Sequence, residues 1–203
     1  MEHSNVMGGS SAERRIQCHG SYQAEKDLPN QTSSYAEVGT ALHGAMEYWL
    51  RERPLTPHDF MLGKVFNGID ITQELIDKKL SPAMDAWNEI QDEMFNNGPI
   101  RKHPYIEQSD LLWPIQDAFG TPDVVQQDKD KRFWIIDWKF GDGIPVSPEA
   151  NWQFAFYAAC VLYSSKIADF DADETIKFVF CTVQSFESLN GAKCWQTWET
   201  DSA

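Results

Sequence analysis

The chain is predicted to fold as an α/β domain: a mixed central sheet flanked by helices, with a helical insert ahead of most of the strands. Three observations carry this prediction. Residues 118–140 read as two apolar strands joined by the polar turn Gln127-Asp128-Lys129-Asp130-Lys131, the pattern of an antiparallel hairpin. Upstream, Ser34-Tyr35-Ala36-Glu37 is a capping box that opens a helix with apolar residues at helical spacing. Downstream, Ser147-Pro148-Glu149 opens a second helix with Pro at its first position, and a further strand follows it.

Taken in order, residues 1–12 are expected to be a disordered start, and the polar stretch to residue 33 a loop. A single domain is then expected over 13–203. Its first helix runs to about residue 53, with Tyr35, Val38, Leu42, Met46, Trp49 and Leu50 on an apolar stripe, and Pro54 and Pro57 stop it. Residues 54–104 read as a helical cap insert roofing the site. Within it Ser81-Pro82 divides a helix over 72–80 from one over 83–96, and Asn97-Gly98-Pro99 ends the second. Strands are expected over 105–113, 118–126 and 132–140, a helix over 149–164 and a strand over 175–184. A last strand over 193–198 would form a hairpin through Leu189-Asn190-Gly191.

Alternation along a strand puts Asp137 and Lys139 on one face. Folding of the hairpin would bring Asp123 close to Asp137. Two carboxylates beside a lysine suit a hard cation, since Mg²⁺ prefers oxygen ligands and keeps several waters. A metal so held can activate a water and clamp a phosphate oxygen, which reads as phosphodiester hydrolysis. Taken alone, Asp-x-Lys is also what an edge strand with solvated charges looks like. On the first helix Gly39, His43 and Glu47 recur every four residues and form a line. On the second, Gln153 and Tyr157 share a face in the same way.

Together Gly39-x3-His43-x3-Glu47, Gly120-x-x-Asp123, Asp137-Trp138-Lys139 and Gln153-x3-Tyr157 resemble, in order and rough spacing, the PD-(D/E)XK nucleases of the RecB type. The stretch from Cys18-His19-Gly20-Ser21 to Tyr35-Ala36-Glu37 is similar to the start of phage and prophage members. The resemblance covers about residues 14 to 185. It implies a restriction-endonuclease-like core and a Mg²⁺- or Mn²⁺-dependent deoxyribonuclease, an exonuclease serving recombination, replication or repair. It implies His43, Asp123, Asp137 and the Trp138 carbonyl as metal ligands and Lys139 as the catalytic lysine. Gln153 and Tyr157 would assist at the site or hold DNA, with Glu47 as an accessory. DNA is the implied partner, with a homo-oligomer or a phage recombination or single-strand-binding protein beside it. Some relatives carry an iron–sulfur cluster on one early and three closely spaced late cysteines. None is expected here, because Cys160, Cys181 and Cys194 are 21 and 13 residues apart and fall within predicted elements.

Composition bounds the alternatives. A chain of 203 residues with 42% apolar content can bury a sizeable core. Residues 1–15 lack the apolar run of a signal peptide, and no stretch approaches a membrane span. Four scattered cysteines then suggest reduced thiols in a cytoplasm. The net charge of −14, from 31 acidic and 17 basic residues, runs against the basic footprint that phosphate binding requires. Local clusters (Arg14-Arg15, Arg51 with Arg53, Arg101-Lys102, and Lys129, Lys131 and Lys139) suggest an uneven surface, electropositive at the site. A non-catalytic nucleic-acid-binding or assembly subunit is the rival reading. A hydrolase of small phosphoesters is disfavoured, because no nucleotide-binding motif is present. Five tryptophans between 87 and 152 are core aromatics or stacking surfaces for bases.

Overall fold

A computed structural model describes residues 4, 6–28, 33–52, 60–96, 104–106, 111–112, 115–142, 144–164, 175–189 and 191–202. The centre is a five-stranded mixed sheet in the order β3 (Tyr105–Ile106), β6 (Val124–Gln127), β7 (Phe133–Lys139), β8 (Lys177–Gln184), β9 (Trp195–Asp201). β3, β6 and β7 pair antiparallel, β7 and β8 parallel, and β8 and β9 antiparallel. The helix Trp152–Tyr163 makes the crossover that a parallel β7–β8 pair requires. Two short pairs flank the sheet: β1 (Val65–Phe66) with β2 (Ile69–Asp70), and β4 (Leu111–Leu112) with β5 (Phe119–Gly120).

Alternation along the central strands divides the core in two. Trp134, Ile136 and Trp138 of β7 face the helices Ser34–Glu52 and Ser81–Phe95, where Leu42, Met46, Trp87 and Ile90 meet them. Phe133 and Ile135 face the other way, onto Phe154, Tyr157 and Val161 of the crossover helix. Both faces of the sheet are covered, and β7 is therefore an almost unbroken apolar run. Trp87, Trp134 and Trp138 are each 1% exposed and belong to the core, whereas Trp152 is 41% exposed; Trp113 lies outside the described residues.

Several expectations need correcting. The start of the chain is folded: Gly9–Ser11 is a turn of 3₁₀ helix, Ala12–Gln17 and Ser21–Glu25 are short helices, and Met7 and Ala12 are buried. The expected disorder to residue 12 and loop to residue 33 fail because small residues let this segment lie against the crossover helix. The cap of the Ser34–Glu52 helix is Ser33, whose hydroxyl accepts from the Ala36 N–H at 3.2 Å. Tyr35, expected on the apolar stripe, is 86% exposed in the first turn. In the insert, Gln73–Leu75, Ile76–Leu80 and Ser81–Phe95 run on without a break. Ile76–Leu80 is a π-helical stretch, a wider turn lying where the Pro82 ring and missing N–H would disrupt an ordinary one. The crossover helix starts at Trp152, capped by the Asn151 side chain, three residues later than the Ser-Pro signal suggested. The last strand does pair antiparallel with β8 as expected, but the connection carries the helix Ser185–Leu189. The expected 118–126 strand is split at Thr121-Pro122-Asp123, since proline cannot donate to the ladder.

Candidate active site

That split positions the first carboxylate. The β6–β7 register pairs Val124 with Ile136, so one step further sets Asp123 across from Asp137 at the C-terminal end of β7. Asp123 and Asp137 are 4% and 3% exposed. Asp123 Oδ2 accepts from the Trp138 N–H at 2.6 Å, and Asp123 Oδ1 lies 2.8 Å from His43 Nδ1. His43 reaches the site from the middle of its helix and stands edge-on to the Phe140 ring.

Gln153 joins the remaining groups. Its Nε2 donates to Asp137 Oδ1 at 2.8 Å and to the Tyr157 hydroxyl at 3.0 Å, while its Oε1 accepts from Lys139 Nζ at 2.9 Å. Lys139 Nζ also forms an ion pair with Asp137 Oδ2 at 2.6 Å. Burial pushes the Asp137 carboxyl up, Lys139 pulls it back, and the Asp123 charge adds to the rise, so it ends above the usual range. Burial lowers His43, but the charge and hydrogen bond of Asp123 outweigh it and hold the imidazole above its ordinary value. Lys139 is likewise lowered by burial and raised further by Asp137. The two acids thus stabilise two cations in a nearly dry site.

The structure brings His43, Asp123, Asp137, Lys139, Gln153 and Tyr157 around one cavity of about 190 Å³. Trp138 takes part through its amide. Glu47 does not join them: it bonds Arg51 of its own helix at 3.0 Å. Gly39 admits nothing close, for no atom lies within 4 Å of where its Cβ would be. The described residues of the insert, 60–96 and 104, line no part of the cavity; its helices pack on the opposite face of the sheet. Sequence reasoning missed the N-terminal part of the lining, Ser4, Gly8, Gly9 and Ser10, together with Phe119 and Thr121. The available signal was Ser10-Ser11-Ala12-Glu13, a capping-box pattern inside a stretch read as disordered.

Among the described residues, no group of three or more His, Cys, Asp or Glu side chains is drawn together as a metal would hold them. The donor chemistry nevertheless fits a hard divalent ion: two nearly buried carboxylates and an imidazole beside one of them. Cys160 and Cys181 lie in the two separate cores, Cys18 is exposed and Cys194 is half-buried. The basic clusters are largely matched by acids: Arg14 and Arg15 both meet Glu25, Arg51 meets Glu47, and Lys129 meets Asp130. No helix among the described residues is long and apolar enough to cross a membrane.

Fold and site define a mixed α/β protein with a buried carboxylate, histidine and lysine centre at the end of a parallel strand pair. The family model described as "Protein of unknown function (DUF2800)" matches residues 3–178. The chain belongs to that family, and the match runs from the N-terminal wall through every residue of the centre.

Proposed function

We propose that this protein is a metal-dependent deoxyribonuclease with a PD-(D/E)XK core of the RecB type, acting as an exonuclease in DNA recombination, replication or repair. The observation that carries the reading is the Gln153 hub, which ties Asp137, Lys139 and Tyr157 together beside Asp123. A binding module needs no such network. Asp123 and Asp137, with His43 at the flank and the Trp138 carbonyl as a further ligand, would hold Mg²⁺ or Mn²⁺. The ion would supply Lewis-acid polarisation of a phosphate oxygen and a more acidic water.

The chain's own groups do the rest. Gln153 fixes the Lys139 ammonium at one end and the Asp137 carboxylate at the other, so neither reorganises during reaction. Lys139 faces the cavity to offset negative charge developing on the phosphoryl group. Tyr157 fixes the Gln153 amide. Their burial keeps these interactions in a medium of low dielectric, where they are stronger than in water.

The test is digestion of end-labelled linear and covalently closed circular DNA, single- and double-stranded, with Mn²⁺. Lys139→Ala is expected to lower the rate at least about 100-fold, the scale of losing a positioned charge-stabilising group. DNA affinity in Ca²⁺ should change little, because one lysine supplies one counterion's worth of binding. Equal residual digestion by both proteins would sink the enzymatic reading. A second reading, a nucleic-acid-binding or assembly subunit that keeps the fold, is favoured by one observation. The acids are already neutralised by His43 and Lys139 in a chain of net charge −14.

A further inference from the structure

We infer that Gly8, Gly9 and Ser10 form the outer wall of the substrate path, and that this wall restricts the site to single-stranded DNA; the inference rests on the nuclease reading. The cavity is about 190 Å³ and is lined by Asp123, Asp137 and Lys139 together with the buried Gly8 and Gly9 and the exposed Ser10. Because both carboxylates are almost wholly buried, a scissile phosphate must enter the cavity to meet them.

The wall is built into the fold. Gly9 lies so close to Tyr157 that a Cβ there would overlap the phenol ring. The Gly8 N–H donates to Ser11 Oγ at 3.1 Å, and the Val6 and Met7 amides donate to Ser4 Oγ at 3.2 and 3.1 Å. Arg15 Nε donates to the Val6 carbonyl at 3.1 Å, and Met7 and Ala12 anchor the segment in the core.

Duplex DNA is stiff over about 150 base pairs, and pairing holds the neighbours of every phosphate on the outside of a cylinder. Such a phosphate cannot descend behind the wall. A single strand has free backbone torsions and exposed base faces. It can lower one phosphodiester into the cavity, with Phe119 offering aromatic surface and Ser10 a hydroxyl.

The experiment measures fluorescence anisotropy in Ca²⁺ with a fluorescein-labelled single-stranded oligonucleotide and a blunt duplex of the same sequence, alongside Mn²⁺-dependent cleavage. Wild type is expected to bind the single strand at least about tenfold more tightly, a difference of about 1.4 kcal/mol. Ser10 is exposed, so Ser10→Trp and Ser10→Glu should fold normally. Each should lose single-strand affinity by about tenfold or more while keeping the wild-type thermal midpoint and its rise with Mn²⁺. Equal affinity of wild type for the two DNAs, or unchanged single-strand binding by both variants, overturns the wall. Single-strand preference without cleavage supports the wall and sinks the hydrolytic reading. Absence of DNA binding overturns both.

Discussion

Tyr157 is gripped between two glycine backbones. A Cβ at Gly120 would come within 2.8 Å of the ring and 3.1 Å of Cys160 Sγ, and one at Gly9 would overlap the ring at its hydroxyl end. Neither residue has the positive φ that favours glycine, so close approach alone explains them. Gly9→Ala is expected to cost about 1–3 kcal/mol by urea denaturation, as overpacking does. In a Tyr157→Ala background most of that cost should vanish, the coupling expected of residues in contact. An additive double mutant would mean that the wall does not rest on the tyrosine. The carboxylates give a second residue-scale prediction. Asp123 and Asp137 repel one another at the end of β7, so Mn²⁺ should raise the thermal midpoint. Asp137→Asn should abolish the rise, and an equal rise in both proteins would place the ion elsewhere.

At the scale of elements, the hairpin was the most legible feature. Pairing strands 118–126 and 132–140 through the polar turn set Asp123 by Asp137, and the observed register does the same. The four-residue spacings placed His43, Gln153 and Tyr157 on the right faces, because a helix has one period whatever it packs against. Glu47 obeyed that period and still missed the site, since spacing does not foresee that Arg51, one turn on, would take it. Other misses were signals overridden by context. Ser81-Pro82 looked like a helix start, but the π turn carries the helix through it. The insert also holds the end of β7: Lys79, in that stretch, donates to the Phe140 carbonyl at 2.9 Å and meets Asp142. Lys79→Met should lower stability by about 1–3 kcal/mol, as loss of a buried hydrogen-bond partner does. Amide exchange just after β7 should speed up with it. Unchanged exchange there would show that the strand end is held by other contacts.

For the whole molecule, two thiols buried on opposite faces of the sheet give a pH dependence. Burial pushes Cys160 up to about 12 from an ordinary 9.0, and Cys181 is pushed up as well. A raised folded value means that the native state holds its proton longer than the unfolded chain does. The associated stability is whole below about pH 9 and declines as pH climbs towards 12. The urea midpoint should therefore fall above pH 9, and Cys160→Ala should show a shallower fall than wild type. Parallel curves would mean that other groups set the alkaline limit. Net charge was readable from composition, but its distribution was not, because among the described residues Arg14, Arg15, Arg51 and Lys129 each pair with an acid.

The contact between Gly9 and Tyr157 also has a consequence for synthesis. The wall leaves the ribosome first, and its tyrosine follows 148 positions later by their numbers. At about 5–20 residues per second that interval is roughly 7–30 s. Throughout it Met7 and Ala12 have no crossover helix to dock on, and the cavity has neither Gln153 nor Tyr157. The nascent chain therefore carries its carboxylates and Lys139 as an open hairpin until the crossover helix arrives. Residues 7–12 are made early and find their place late.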